Sequence, residues 1–117
     1  MHNRQKILIL ENDDFLREII GNLLHKQGGY ILNGASIQEG LDKTEKHTID
    51  TVILGTSCSE YKGKETLKYI NKQLNQQIPA NFYLINDTEK SLEFVPKNKQ
   101  IHIEHLSIEK ILEAIPV

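Results

Sequence analysis

Apolar residues fall into short runs separated by amphipathic stretches. Ile7-Leu8-Ile9-Leu10 is a continuous apolar run followed by acidic and amide residues. It predicts a strand buried on both faces. Phe15, Leu16, Ile19, Ile20, Leu23 and Leu24 then recur at helical spacing, with Asp13 or Asp14 as the cap that accepts the free N–H groups of the first turn. Gly28-Gly29 stops that helix, because glycine reaches the left-handed conformation at low cost. Tyr30-Ile31-Leu32 predicts a second strand. Ser36 with Glu39 forms a capping box for a helix that carries Ile37 and Leu41 inward. Its continuation, Asp42 to His47, is wholly polar and predicts a weak helix.

Thr51-Val52-Ile53-Leu54-Gly55 predicts the third strand, and a polar loop with Gly63 leads to a helix with Leu67, Ile70 and Leu74 on one face. Phe82-Tyr83-Leu84-Ile85 follows Pro79 as the fourth strand. Thr88 to Val95 predicts a short helix that stops before Pro96, since the residue before proline avoids helical geometry. Ile101 and Ile103 alternate with His102 and Glu104 as a short fifth strand. Ser107 caps a last helix bearing Ile108, Ile111, Leu112 and Ile115. Strand and helix alternate five times, the pattern of an α/β parallel sheet covered on both faces.

The length of 117 residues fits one domain, residues 1–117, with one core. Acidic and basic residues are interspersed and the net charge is −2, so the basic stripe of a nucleic-acid partner is missing. No apolar run approaches the roughly 20 residues of a membrane span, and the amino-terminal residues lack the shape of a signal peptide. Cys58 is the single cysteine. An internal disulfide is thereby excluded and a cytoplasmic location is expected.

The stretch Ile7 to Ile20, an apolar strand, then Glu11-Asn12-Asp13-Asp14, then Leu16-Arg17 and an apolar helix, resembles the opening of the receiver domain of bacterial response regulators. Asp50, the strand ending at Gly55, and Gly63 before the next helix are a second match. The resemblance covers essentially the whole chain. It implies a flavodoxin-like (CheY-like) three-layer fold, sheet order 2-1-3-4-5, with the site at the carboxyl ends of the strands.

Carried over residue by residue, the receiver site is degenerate. The pair that would hold Mg²⁺ is Glu11 and Asn12, and the phosphoacceptor position is Gly55. Ser57 keeps a backbone carbonyl for a metal, and Asn86 stands for the hydroxyl residue after the fourth strand. Glu104 replaces the lysine, His105 the proline, and Ile101 the aromatic switch residue. Phosphoryl transfer needs a nucleophile, a cation and positive donors. Gly55 has no side chain, Asn12 lacks the charge Mg²⁺ prefers, and Glu104 opposes a phosphate. Only Asn86 is left to hydrogen-bond an oxyanion. Glu104-His105 is not an X-Pro bond and is expected to be trans.

The resemblance therefore implies a pseudo-receiver in two-component-type signal transduction: not an enzyme, and acting by protein–protein interaction. No cofactor and no metal are expected. The partner is another signalling protein or domain, or a second copy of the chain, with no nucleic acid and no membrane. Leu92, Phe94, Val95, Ile101 and Ile103 place apolar groups near a surface the family uses for partners, and Phe94, Ile101 and Ile103 are the candidate interaction face. The alternative is a flavodoxin-like ligand-binding or enzyme domain unrelated to signalling, against which stands the lack of a glycine-rich phosphate loop. A third reading is an active receiver with Asp13 or Ser57 as acceptor.

Other groupings read plainly. His102, Glu104 and His105 lack a second ligand cluster for zinc. Cys58 reads as a simple loop thiol. Glu11, Asp13 and Asp14 dress a helix amino terminus, which favours the dipole. Lys62, Lys64, Lys68 and Lys72 form a solvated helix face.

Overall fold

Every strand of the sheet splits its side chains between two layers, as the period of two demands. In the computed structural model, which describes residues 4–88, 90–115 and 117, five parallel strands lie in the order β2-β1-β3-β4-β5. They are β1 (Lys6–Leu10), β2 (Tyr30–Gly34), β3 (Thr51–Gly55), β4 (Asn81–Asn86) and β5 (Gln100–His102). Four helices cover them: α1 (Asp14–Lys26), α2 (Ile37–Asp42), α3 (Lys64–Leu74) and α4 (Ile108–Ala114). This is the α/β parallel sheet that the alternation of elements predicts, in the flavodoxin-like strand order that the resemblance implies.

Ile7, Ile9, Ile53 and Ile85 point to one face, where Ile20 and Leu24 of α1 and Ile111 of α4 complete a core cluster. Leu8, Leu10, Val52, Leu54 and Leu84 point to the other, under Ile37 and Leu41 of α2 and Ile70 of α3. All four β1 positions from Ile7 to Leu10 are fully buried, which is why that run is apolar without alternation.

The caps form as the residues predict. Asp13 accepts from Leu16 N–H at 2.9 Å, Ser36 from Glu39 N–H at 3.1 Å and Ser107 from Lys110 N–H at 3.2 Å. Gly28, at φ +101°, turns the chain out of α1. Helix α2 ends at Asp42, where the apolar period ends. No peptide bond among the described residues is cis, so Glu104-His105 is trans.

Two expectations fail on the β5 side. The helix expected over residues 88–95 does not form: residues 90–95 make bends and turns, and Glu89 lies outside the described residues. The side chain of Gln100 takes the backbone groups a helix would use, receiving Leu92 N–H at 2.9 Å and donating to Leu92 O and Val95 O at 3.0 and 3.1 Å. A carboxamide that bonds backbone groups in this way competes directly with a helix. The fifth strand is also shorter than the alternation predicts, because Ile103–His105 closes into a single 3₁₀ turn.

Candidate functional site: the carboxyl rim of the sheet

Parallel pairing brings the strand ends together. Leu10 pairs with Leu54 and Gly55 with Ile85, so Glu11, one step past β1, comes level with Gly55 at the end of β3. The carboxylate of Glu11 occupies the space above that glycine. A Cβ built on Gly55 would stand 2.7 Å from Glu11 Cδ and 3.2 Å from Oε2, and closer still to Oε1. Any side chain at position 55 requires the carboxylate end of Glu11 to shift.

Glu11 is held there by its own hydrogen bonds. Its Oε2 receives Asp13 N–H at 2.9 Å and Ser57 Oγ–H at 3.2 Å, and the residue is 1% exposed. Buried carboxylates need such partners. The bonds tie the loop after β1 to the loop after β3. Arg17 closes the same loop from outside, donating to Glu11 O at 2.8 Å and to Asp14 Oδ1 at 2.6 Å.

Cys58, expected to be a loop thiol, is buried, with Sγ 3.6 Å from Leu10 O. Burial first, then the carboxylates of Glu11 and Glu60, push its pKa up to about 11, the reverse of an activated cysteine. Glu60 itself receives Ile37 N–H and Gln38 N–H at 3.0 and 3.1 Å, capping α2 from a distant loop. Burial, and after it the nearby charge of Asp87, raises the Tyr61 phenol.

Asn86 corrects the sequence reading. It is fully buried and its amide is committed inside the protein. Nδ2 donates to Lys90 O at 3.0 Å and to Gln100 Oε1 at 3.3 Å, while Oδ1 receives Thr88 N–H at 2.9 Å and Thr88 Oγ–H at 2.7 Å. Two donors and two acceptor sites are the whole inventory of a carboxamide, so nothing is left for an oxyanion. His102 Nδ1 lies 3.0 Å from Thr88 O, adding to the same network. The network is a feature sequence reasoning missed. Its signal is the polar Gln100 on a short strand that covering on both faces would make apolar.

The remaining expected site residues scatter. Asn12 and Ser57 are exposed. The Glu104 carboxylate lies 3.7 Å from His105 Nε2, both exposed, in the turn after β5. Among the described residues no three His, Cys, Asp or Glu side chains converge on a metal-sized space. The Mg²⁺ that receiver folds imply is not fitted by this rim: Glu11 is turned onto Asp13 N–H and Ser57, and Asn12 is neutral.

The candidate interaction face is corrected as well. Ile101 is 6% exposed, within the core under α4. Phe94 is half-buried against the other core cluster. Only Ile103 is exposed. Without an α-helix among the described residues between β4 and β5, that segment folds its apolar groups under itself. Among the described residues no helix is long and apolar enough to cross a membrane.

No family model matches the chain, and no curated protein is similar to it in sequence. Solved structures are similar in fold. The chemotaxis protein CheY4 of Vibrio cholerae superposes with a TM-score of 0.73 at 18% identity, over 95% of each chain. A CheY-like response regulator receiver domain from Methanospirillum hungatei gives 0.64 at 21% identity, over 78% of this chain and 70% of that one. A response regulator from Burkholderia pseudomallei, solved with a phosphorylated aspartic acid, gives 0.60 at 8% identity, over 72% of this chain and 48% of that one. With the parallel pairing and strand order of the sheet, these likenesses give the chain the CheY-like, flavodoxin-like fold.

Proposed function

We propose that the chain is a pseudo-receiver, a phosphorylation-independent interaction module of two-component-type signalling and not an enzyme. The observation that carries this reading is the Glu11 carboxylate in the space above Gly55. An acceptor carboxylate on β3 and Glu11 in its observed position are sterically exclusive. The Burkholderia neighbour carries a phosphorylated aspartic acid, whereas none of the five strands here ends in aspartate. Asp13 is spent capping α1. Phosphoryl transfer also needs positive charge around the transferred oxygens, and Glu104 stands where the resemblance places the lysine.

The reading is tested by titrating the protein with Mg²⁺ and beryllofluoride, a phosphoryl mimic, while following backbone amide NMR signals. Residues 11–14, 55–58 and 86–88 are expected to stay where they are. Saturable shifts confined to those residues overturn the reading.

A further inference from the structure

The segment that joins β4 to β5 has the residue pattern of a helix and the hydrogen bonds of a latch. Leu92 and Val95 share a helical face, and Pro96 ends the pattern. A helix there would pair Leu92 N–H with Thr88 O and Phe94 N–H with Lys90 O, four residues back in each case. Three of those four groups are directed to side chains instead. Leu92 N–H donates to Gln100 Oε1 at 2.9 Å, Lys90 O receives Asn86 Nδ2–H at 3.0 Å, and Thr88 O lies 3.0 Å from His102 Nδ1. One N–H serves one acceptor well, so the bond of Leu92 to Gln100 and its helical bond to Thr88 exclude each other. The backbones of Asn86, Gln100 and His102 stay in the β4–β5 ladder. Only their side chains need move for the segment to change its bonds.

The two arrangements treat the apolar side chains differently. As observed, Val95 is buried, and Leu92 and Phe94 pack half-buried against the core cluster under α2 and α3. On a helix, Leu92 and Val95 stay together on the core side. Phe94 is then turned about 100° from Val95 and about 200° from Leu92, at 3.6 residues per turn. Its ring points to solvent.

We infer that this segment is a latched helix. The carboxamides of Asn86 and Gln100 hold it as turns with Phe94 turned in, and their release lets it coil into a short helix with Phe94 turned out. The latch regulates the interaction module proposed above, by withholding or presenting an aromatic side chain of the kind that anchors contacts. It rests on that reading only for its purpose. Both arrangements bury Leu92 and Val95 and both bond Leu92 N–H. The helix is therefore expected as a minor state of the free chain, about 0.1–10% populated.

NMR relaxation dispersion on the backbone amides of the whole chain tests it. Exchange on the microsecond-to-millisecond scale is expected at Ser91, Leu92, Phe94 and Val95, with helical shifts for the minor state. Gln100→Val removes the latch and keeps a strand former in β5. Its Cα and Cβ shifts at residues 90–95 should move to helical values. Fluorine NMR with 4-fluorophenylalanine reads the ring. The three phenylalanines are Phe15, Phe82 and Phe94, and Phe15, 74% exposed, is a built-in standard for solvent contact. In Gln100→Val the Phe94 signal should gain the solvent isotope shift of Phe15. A wild-type chain without exchange in residues 91–95, a Gln100→Val segment with turn or coil shifts, or a Phe94 signal that keeps its half-buried character overturns the inference. Should Gln100→Val fail to fold, the wild-type dispersion decides alone, and non-helical minor-state shifts overturn the inference. None of these measurements uses Mg²⁺ or beryllofluoride, so the latch and the pseudo-receiver reading fail separately.

Discussion

Between β1 and β3 the carboxyl rim of the sheet is filled by one carboxylate; between β4 and β5 it is filled by two carboxamides. Glu11 lies over Gly55 and receives Asp13 N–H and Ser57 Oγ–H. Asn86 and Gln100 bond each other, Thr88 and the turns of residues 90–95. The first closure fills the space above Gly55 while leaving regular helices α1 and α3 on either side. The second replaces a helix outright. Both satisfy the polar groups that a ligand would otherwise meet. On the proposed reading, such a rim closes to a ligand in two ways: by filling the acceptor's volume, or by spending the donors internally.

The largest effect is expected on the amide side. Gln100→Ala strips the turns of Leu92 and Val95 of their partners and leaves Asn86 Nδ2 one acceptor short. A loss of about 2–4 kcal/mol in unfolding free energy is expected from several buried groups left unpaired, read by urea denaturation. Hydrogen exchange should then open first in residues 90–95. If the loss is under about 0.5 kcal/mol, a typical surface effect, the amide network does not hold the crossover and the contrast between the two sides fails.

On the carboxylate side a double-mutant cycle separates volume from charge. Gly55→Ala should cost about 1–3 kcal/mol because the new methyl displaces a buried side chain. In a Glu11→Ala background the same change should cost far less, giving a coupling of about 1 kcal/mol or more between touching residues. Additive costs would mean that Glu11 does not fill the space above Gly55.

A smaller effect, in rate and pH dependence, is expected at Cys58. Its pKa is pushed up to about 11 by burial and by Glu11 and Glu60. Alkylation of the native protein should be slow at neutral pH and fast once the chain is unfolded, since the thiolate is the reactive form. The unfolded thiol ionises at about 8.5, so the folded protein holds its proton to higher pH. The stability contributed is present below the unfolded pKa and lost as pH rises through about 11. Native alkylation as fast as that of a free thiol would place Cys58 outside the core.

The two sides also differ in how far the residues announce them. β1, β3 and their helices follow from apolar period and capping alone: Ile7 to Leu10 are buried on both faces, and Asp13, Ser36 and Ser107 cap as their positions indicate. The glycine at the end of β3 is legible too, but its consequence is not. That Glu11 fills the space depends on the register pairing Leu10 with Leu54, a long-range fact. The β5 side misleads. Leu92, Phe94 and Val95 have plausible helical spacing, yet local spacing carries no trace of Gln100 reaching back eight residues to Leu92. The receiver resemblance puts Ile101 and Phe94 near a surface the family uses for partners. With turns in place of a helix, they pack inward.

Intact-mass spectrometry after incubation with acetyl phosphate and Mg²⁺ tests the central claim most directly. The account predicts an unchanged mass, with Gly55 offering nothing to esterify and Glu11 held above it. A stable phosphoryl adduct, mapped to any residue of the loops after β1 or β3, would contradict it.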